Sequence, residues 1–234
     1  MSELKISDFK MLEKAPYTKP LPKNSIELII KGSIEQEKTY GPIFSDLYIK
    51  HALRFAAKKY GETPKEAIKT LDQLIEYLVS VSDKHPDAAN AAVYAGLKAE
   101  SDIQGKSGAG IRVGLIGFFR SLGKKPSAKE RNVDIDQLLA TFQKTLIQLG
   151  LAHYEVGYNK NEDGSVNVIW PNCYIKDGCR LASDEGATKR IIGGLQCVSC
   201  SGMCQILKLL SSYDWDYELL EFDKPHCIAR SFMI

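Results

Sequence analysis

The sequence has no apolar run approaching the ~20 residues of a membrane span. Its first nine residues, Met1 to Phe9, mix charges of both signs where a secretory leader carries an apolar core. Surplus charge is also missing. Thirty-one Lys and Arg stand against 29 Asp and Glu, a formal +2, so no whole-molecule field draws the chain to nucleic acid or an anionic membrane. Histidine is scarce and scattered, at positions 51, 85, 153 and 226, and no catalytic triad suggests itself. There is no internal repeat and no low-complexity tract. These absences point to the cytoplasm, where thiols stay reduced and cysteines serve metal or redox chemistry more often than structural disulfides. What is there is a chain of 234 residues, 44% hydrophobic and 26% charged, large enough to bury a core without staples. All six cysteines lie after residue 170.

The hydrophobic period changes along the chain. The first forty residues carry Pro16, Pro20 and Pro22, with Ile26 to Ile30 as their one apolar cluster, which predicts an irregular lead-in with one short strand or helical turn. Residues 43 to 60 repeat at helical spacing and meet Gly61, a residue suited to a left-handed cap. Thr63-Pro64-Lys65-Glu66 has the form of a capping box with proline at the first helical position, predicting a helix from 64 to about 82. Further helices are predicted over 88–101, 108–122 and 133–149, the last capped by Asp134. Beyond Gly150 the period becomes 2: strands over 153–158 and 165–170 flank a turn signal at Asn161 to Gly164. A cysteine-containing loop, a helix over about 195–211 and two closing strands, 216–222 and 227–234, follow. The expectation is an α+β fold, with N-terminal helices, then hairpin, helix and hairpin, and an antiparallel sheet packed on helices.

Two motifs have bland readings that outweigh their sharp ones. Gly105-Lys106-Ser107 lacks the upstream glycine and the preceding strand of a phosphate loop. The basic group from Arg112 to Arg131 reads as a solvated face. The cysteines differ in kind. Cys197, Cys200 and Cys204 fall at i, i+3 and i+7, one stripe of a helix. Cys173 and Cys179 precede that helix, and Cys227 opens the last strand. Thiolates so spaced suit zinc or an iron–sulfur cluster, and an exposed pair makes a redox switch. The plain alternative is that cysteine, a small and commonly buried hydrophobe, lines a core here. His226 beside Cys227 is a further candidate to perturb a thiol, although neighbours on a strand point to opposite faces.

Three pieces of the C-terminal part carry a resemblance: Gly150-Leu151 entering a hairpin, Cys197 followed after four residues by Gly202-Met203, and the ending from Glu218-Leu219-Leu220-Glu221 through Cys227 to Phe232-Met233-Ile234. With them the chain resembles, from about residue 88, the vinyl-4-reductase domain family of hydrocarbon-binding proteins. The resemblance implies a zinc held by Cys197, Glu218 and Cys227. Where the family has a further hairpin cysteine this chain has Glu221, and Cys200 is the proposed replacement, with Cys204 and Cys173 as further candidates. It also implies a small hydrophobic ligand, a sensor or carrier in place of a catalyst, and a homodimer. Direct DNA binding is not expected, because residues 1 to 60 show no helix-turn-helix.

The resulting division is an N-terminal helical extension, 1–86, and a ligand-binding domain, 87–234. Phe118, Phe119, Leu138, Phe142, Trp170 and Tyr174 are candidates for an apolar ligand wall, although each taken singly reads more readily as core packing. The competing expectation, from another class, is a redox protein or reductase accessory. In it the six cysteines either ligate an iron–sulfur cluster or act as a metal-free thiol switch that Cys197→Ser or Cys200→Ser would abolish.

Overall fold

The fold was analysed from a computed structural model. It describes residues 4–12, 22–104, 134–148, 155–187, and within 197–233 residues 197, 199, 200, 203, 204, 207, 208, 211, 213, 215–222 and 226–233. The chain is α+β and forms two compact units. A sheet unit takes Met1–Pro20, Pro126–Cys173 and Ile192–Ile234, and a helical unit takes Leu21–Lys125 and Tyr174–Ile191. The boundary expected at 86/87 falls inside the helical unit, between two helices that both pack there.

The helical unit holds α1 (Pro22–Tyr40), α2 (Pro42–Tyr60), α3 (Leu71–Ser82), α4 (Ala89–Gln104) and α6 (Lys176–Asp184). The lead-in expected to be irregular is thus the 19-residue α1. Ile26, Ile30 and Ser33 bury one face of it, and Pro22 stands at its start, where a missing N–H costs nothing. In α4 the small residues Ala89, Ala91, Ala92, Ala95 and Ala99 are fully buried, so neighbouring backbones approach closely. The Tyr48 hydroxyl donates to the Ala92 carbonyl at 2.7 Å, and its ring lies against Gly96. Asn90 joins α4 to α6. Its side-chain oxygen accepts the Gly178 N–H at 2.8 Å, and its amide donates to the Asp87 and Tyr174 carbonyls at 3.0 and 2.8 Å.

The cap of α3 is Thr70, not Thr63. The Thr70 hydroxyl accepts from Gln73 N at 3.2 Å, while the Gln73 side-chain oxygen accepts from Lys69 N and Thr70 N at 2.8 and 3.2 Å. Both stretches have capping-box form, but the Thr70 box opens directly onto Leu71, Leu74 and Leu78, the buried stripe. Thr70→Ala is expected to cost about 1 kcal/mol, read as a thermal midpoint lower by roughly 2–4 °C. The exposed Thr63→Ala should stay within about 0.5 kcal/mol of the parent.

The sheet unit holds β1 (Lys10–Met11), β2 (Gly157–Lys160), β3 (Val166–Trp170), β4 (Trp215–Glu221), β5 (Cys227–Met233) and α5 (Ile135–Gln148). The five strands are antiparallel, in the order β1-β2-β3-β5-β4. Asp134 caps α5 as expected, accepting from the backbone N–H groups of Asp136 and Gln137 at 2.9 and 3.3 Å. The two expected hairpins are present. Two elements were not foreseen: β1, and α6, which occupies part of the cysteine-containing loop. The helix expected over 108–122, and with it Phe118 and Phe119, lies outside the described residues. Among the described residues, no helix is long and apolar enough to cross a membrane.

Candidate thiol site

Strand alternation assigns the sheet two faces. Residues directly paired across an antiparallel ladder share a face, and neighbours along a strand do not. Cys227 pairs with Trp170, Ala229 with Val168, and Ser231 with both Val166 and Tyr217. These residues share one face, here the inner face, and all are buried. Ile169 pairs with Ile228, Asn167 with Arg230, and Arg230 with Glu218, so these stand on the opposite, outer face. There Arg230 donates to Ser165 at 2.9 Å and pairs with Asp163. Together with Glu218 and Phe232 they line a cleft of about 350 Å³.

This alternation separates the expected zinc ligands. Glu218 is exposed on the outer face and Cys227 is buried on the inner one, so the sheet itself lies between them. Glu221, which stands where the family has a cysteine, is 3.0 Å from the His226 ring nitrogen. His226 is thereby held to a carboxylate. Cys179 lies on α6 in the helical unit, whereas Cys173, Cys197, Cys200, Cys204 and Cys227 belong to the sheet unit, so neither unit alone assembles all six cysteines. Among the described residues, no group of three or more His, Cys, Asp or Glu side chains is placed to hold a metal ion. The donors as arranged do not fit the zinc centre that the resemblance implies.

The structure makes something else of Cys197. It is not on a helical stripe with Cys200 and Cys204: Cys200 and Cys204 are helical, while Cys197 precedes them in non-helical backbone. Its sulfur lies 3.4 Å from Cys200 N and also accepts the Ser199 N–H, the pattern of a side chain capping a helix N-terminus. Tyr217, from the inner face, holds the Cys197 backbone by both polar groups. Its hydroxyl accepts from Cys197 N at 2.9 Å and donates to Cys197 O at 3.2 Å. Cys197 and Cys200 are 4% and 0% exposed, and none of the six cysteines is in a disulfide.

The two thiols of the pair are driven apart in acidity. The Cys200 thiol donates to the Cys197 sulfur, and with the backbone N–H groups of Cys200 and Ser199 and the Ser199 hydroxyl it holds Cys197 below the usual thiol range, against the upward push of burial. Cys200 is pushed well up, first by burial and then by its bond to Cys197 and the negative charge there, with charge on Cys204 and Cys227 acting in the same direction. The result is a pair in which Cys197 is the more acidic thiol and Cys200 the less acidic. Spacing alone marked Cys197 and Cys200, whereas Tyr217 and Ser199 carried no sequence signal, since their roles depend on where the helix starts.

The expected ligand wall is divided. Leu138, Phe142 and Trp170 are buried in the sheet unit. Tyr174 belongs to the helical unit, where its hydroxyl meets Ser25 Oγ at 3.0 Å. The Trp170 indole N–H is buried without an acceptor among the described residues. Comparisons of the chain with protein-family models, curated proteins and solved structures find no match.

Proposed function

We propose that this protein is a thiol-based redox switch in which Cys197 is the reacting sulfur and Cys200 the resolving one. The observation that supports this reading most is the Cys197 sulfur at the helix N-terminus, accepting from Cys200 N at 3.4 Å. A thiolate is the nucleophile in thiol chemistry, and helix N-termini and hydrogen-bond donors favour it. Burial of Cys197 to 4% exposure suits a small oxidant of the hydroperoxide class over a folded partner. The Cys197 thiolate attacks one peroxide oxygen, the O–O bond breaks, and Cys197 becomes a sulfenic acid as hydroxide leaves. The Cys200 sulfur then attacks the Cys197 sulfur, forming the disulfide. The sulfenic oxygen departs with the Cys200 proton as water.

The test is alkylation of anaerobically reduced full-length protein with iodoacetamide from pH 5 to 10, mapped by mass spectrometry, alongside metal and acid-labile sulfide analysis. Cys197 is expected to react first, with a midpoint below that of an ordinary thiol. Equal reactivity of Cys197 and Cys200, or stoichiometric zinc or iron sulfide that protects both, would remove the metal-free switch.

A second reading, a sensor or carrier of a small hydrophobic molecule, is supported by Trp170. A buried indole N–H without an acceptor costs about 1–3 kcal/mol, and a ligand bearing an oxygen would relieve that cost. Phenol titrated into Trp215→Phe protein should change the Trp170 emission saturably, and a linear response would end this reading. The homodimer belongs to the same proposal: β4 is an edge strand with Leu220 exposed, and sedimentation at two concentrations tests it.

A further inference from the structure

The cleft on the outer face of the sheet holds charges that the fold leaves unjoined. Glu218 and Arg230 stand directly opposite each other on β4 and β5, a placement in which unlike charges attract. The guanidinium is instead drawn to the β2–β3 turn. Its Nε–H donates to Ser165 Oγ at 2.9 Å and its Nη2 pairs with Asp163. Asp163 is itself fixed, accepting the Ser165 N–H at 3.0 Å and the Ser165 hydroxyl at 2.6 Å. The Glu218 carboxylate makes no hydrogen bond or ion pair among the described residues, and Nη1 of Arg230 is bonded to none of them. Gly164 and Phe232 complete the lining. Phe232 is half-buried and, two residues from Arg230 on β5, shares its face. The volume of about 350 Å³ is at the small end for ligand sites, roughly 300–1,000 Å³.

We infer that this cleft binds a free α-amino acid with an apolar or aromatic side chain. Its ammonium pairs with Glu218, its carboxylate takes the unspent N–H groups of Arg230, and its side chain lies against Phe232. The charge balance selects this class. An inorganic cation on Glu218 would sit beside the guanidinium, and an inorganic anion on Arg230 would face both Glu218 and Asp163, whereas a zwitterion meets each charge with its opposite. A guanidinium carries five donors, so Arg230 keeps its bonds to the turn and still receives a carboxylate, the acceptor its planar fork matches best. Directly opposed residues hold their Cβ atoms about 4.5–5.5 Å apart, so one small molecule whose two charges flank a single carbon reaches both side chains. The site uses the face of the sheet opposite to Tyr217, and it stands independently of the thiol switch.

The experiment is calorimetric titration of the reduced full-length protein with L-phenylalanine, with phenethylamine, which lacks the carboxylate, and with 3-phenylpropanoate, which lacks the ammonium. Phenylalanine should bind saturably and each analogue about tenfold more weakly, the worth of one charge-assisted contact. Glu218→Gln, at an exposed position, should weaken phenylalanine about tenfold and leave 3-phenylpropanoate unchanged. A linear response to phenylalanine overturns the site. So does an analogue that binds as tightly as phenylalanine, or a phenylalanine affinity that Glu218→Gln does not move, which would place the ligand elsewhere. The ranking of the three probes on the wild-type chain decides the matter even if the variant fails to fold, and every outcome leaves the alkylation test of Cys197 untouched.

Discussion

Gly178→Ala is expected to destabilise the helical unit by about 1–5 kcal/mol. An ideal Cβ at this position would lie 2.4 Å from the Asn90 carbonyl oxygen and 3.2 Å from two further Asn90 backbone atoms. These are backbone atoms of α4 and cannot turn aside, so α6 must move off α4. The move costs an overpacking penalty of about 1–3 kcal/mol, and a further ~1–3 kcal/mol as the hydrogen bond from Gly178 N to Asn90 Oδ1 is stretched in a buried setting. Alanine is the better helix former by about 1 kcal/mol, which offsets part of this without reversing it. The sum should lower the thermal midpoint by roughly 2–20 °C, at about 2–4 °C per kcal/mol for a chain of this length. Gly186 provides the contrast. It has open space around its would-be Cβ and a φ of 79°, so alanine there carries only the left-handed backbone cost of roughly 1–2 kcal/mol. Equal midpoints for the two variants would show that the α4–α6 contact is looser than these distances.

Cys197→Ser should remove most of the alkylation and peroxide reactivity at pH 7. An ordinary thiol with a pKa of about 8.5 is only ~3% ionised there, so losing the one sulfur whose pKa is lowered should remove the fastest-reacting site. Cys200→Ala should act differently. It keeps the nucleophile but deletes the thiol that contributes most to holding Cys197 down, so the pH midpoint of Cys197 alkylation should rise towards the ordinary thiol value, and oxidation should stop at the sulfenic acid. A Cys200→Ala profile that coincides with the parent would mean that the helix N-terminus alone sets the acidity. Alkylation is a better readout than stability against pH, because the two thiols pull in opposite directions. A depressed folded-state pKa at Cys197 contributes stability that is complete above the unfolded value and lost as pH falls through the folded one. A raised pKa at Cys200 removes stability as pH climbs through the unfolded value. The two contributions partly cancel in unfolding and separate cleanly by site in a mass spectrum.

Local chemistry was enough for much of this protein. Asp134 caps α5 because its carboxylate reaches N–H groups two and three residues on, a contact written entirely in neighbouring positions. The change of period after residue 150 marks the hairpins, because alternation reports which face is buried without reference to what buries it. Tertiary structure decided where two capping boxes competed: Thr70 and not Thr63 starts α3, since only the helix after Thr70 lays its leucines straight into the core. It also made helices of α1, whose prolines read as loop until Ile26 and Ile30 are buried, and of α6, whose Gly178 disfavours a helix until Asn90 binds its N–H. The cysteine spacing was legible, but its meaning was not. A count of i, i+3, i+7 presumes that the helix already includes Cys197, whereas Tyr217, twenty residues on, fixes that backbone outside it and turns a stripe position into a cap. Glu218 and Cys227 are close in sequence, yet the register of β4 on β5 sends them to opposite faces, and register belongs to the paired strands and not to either one alone.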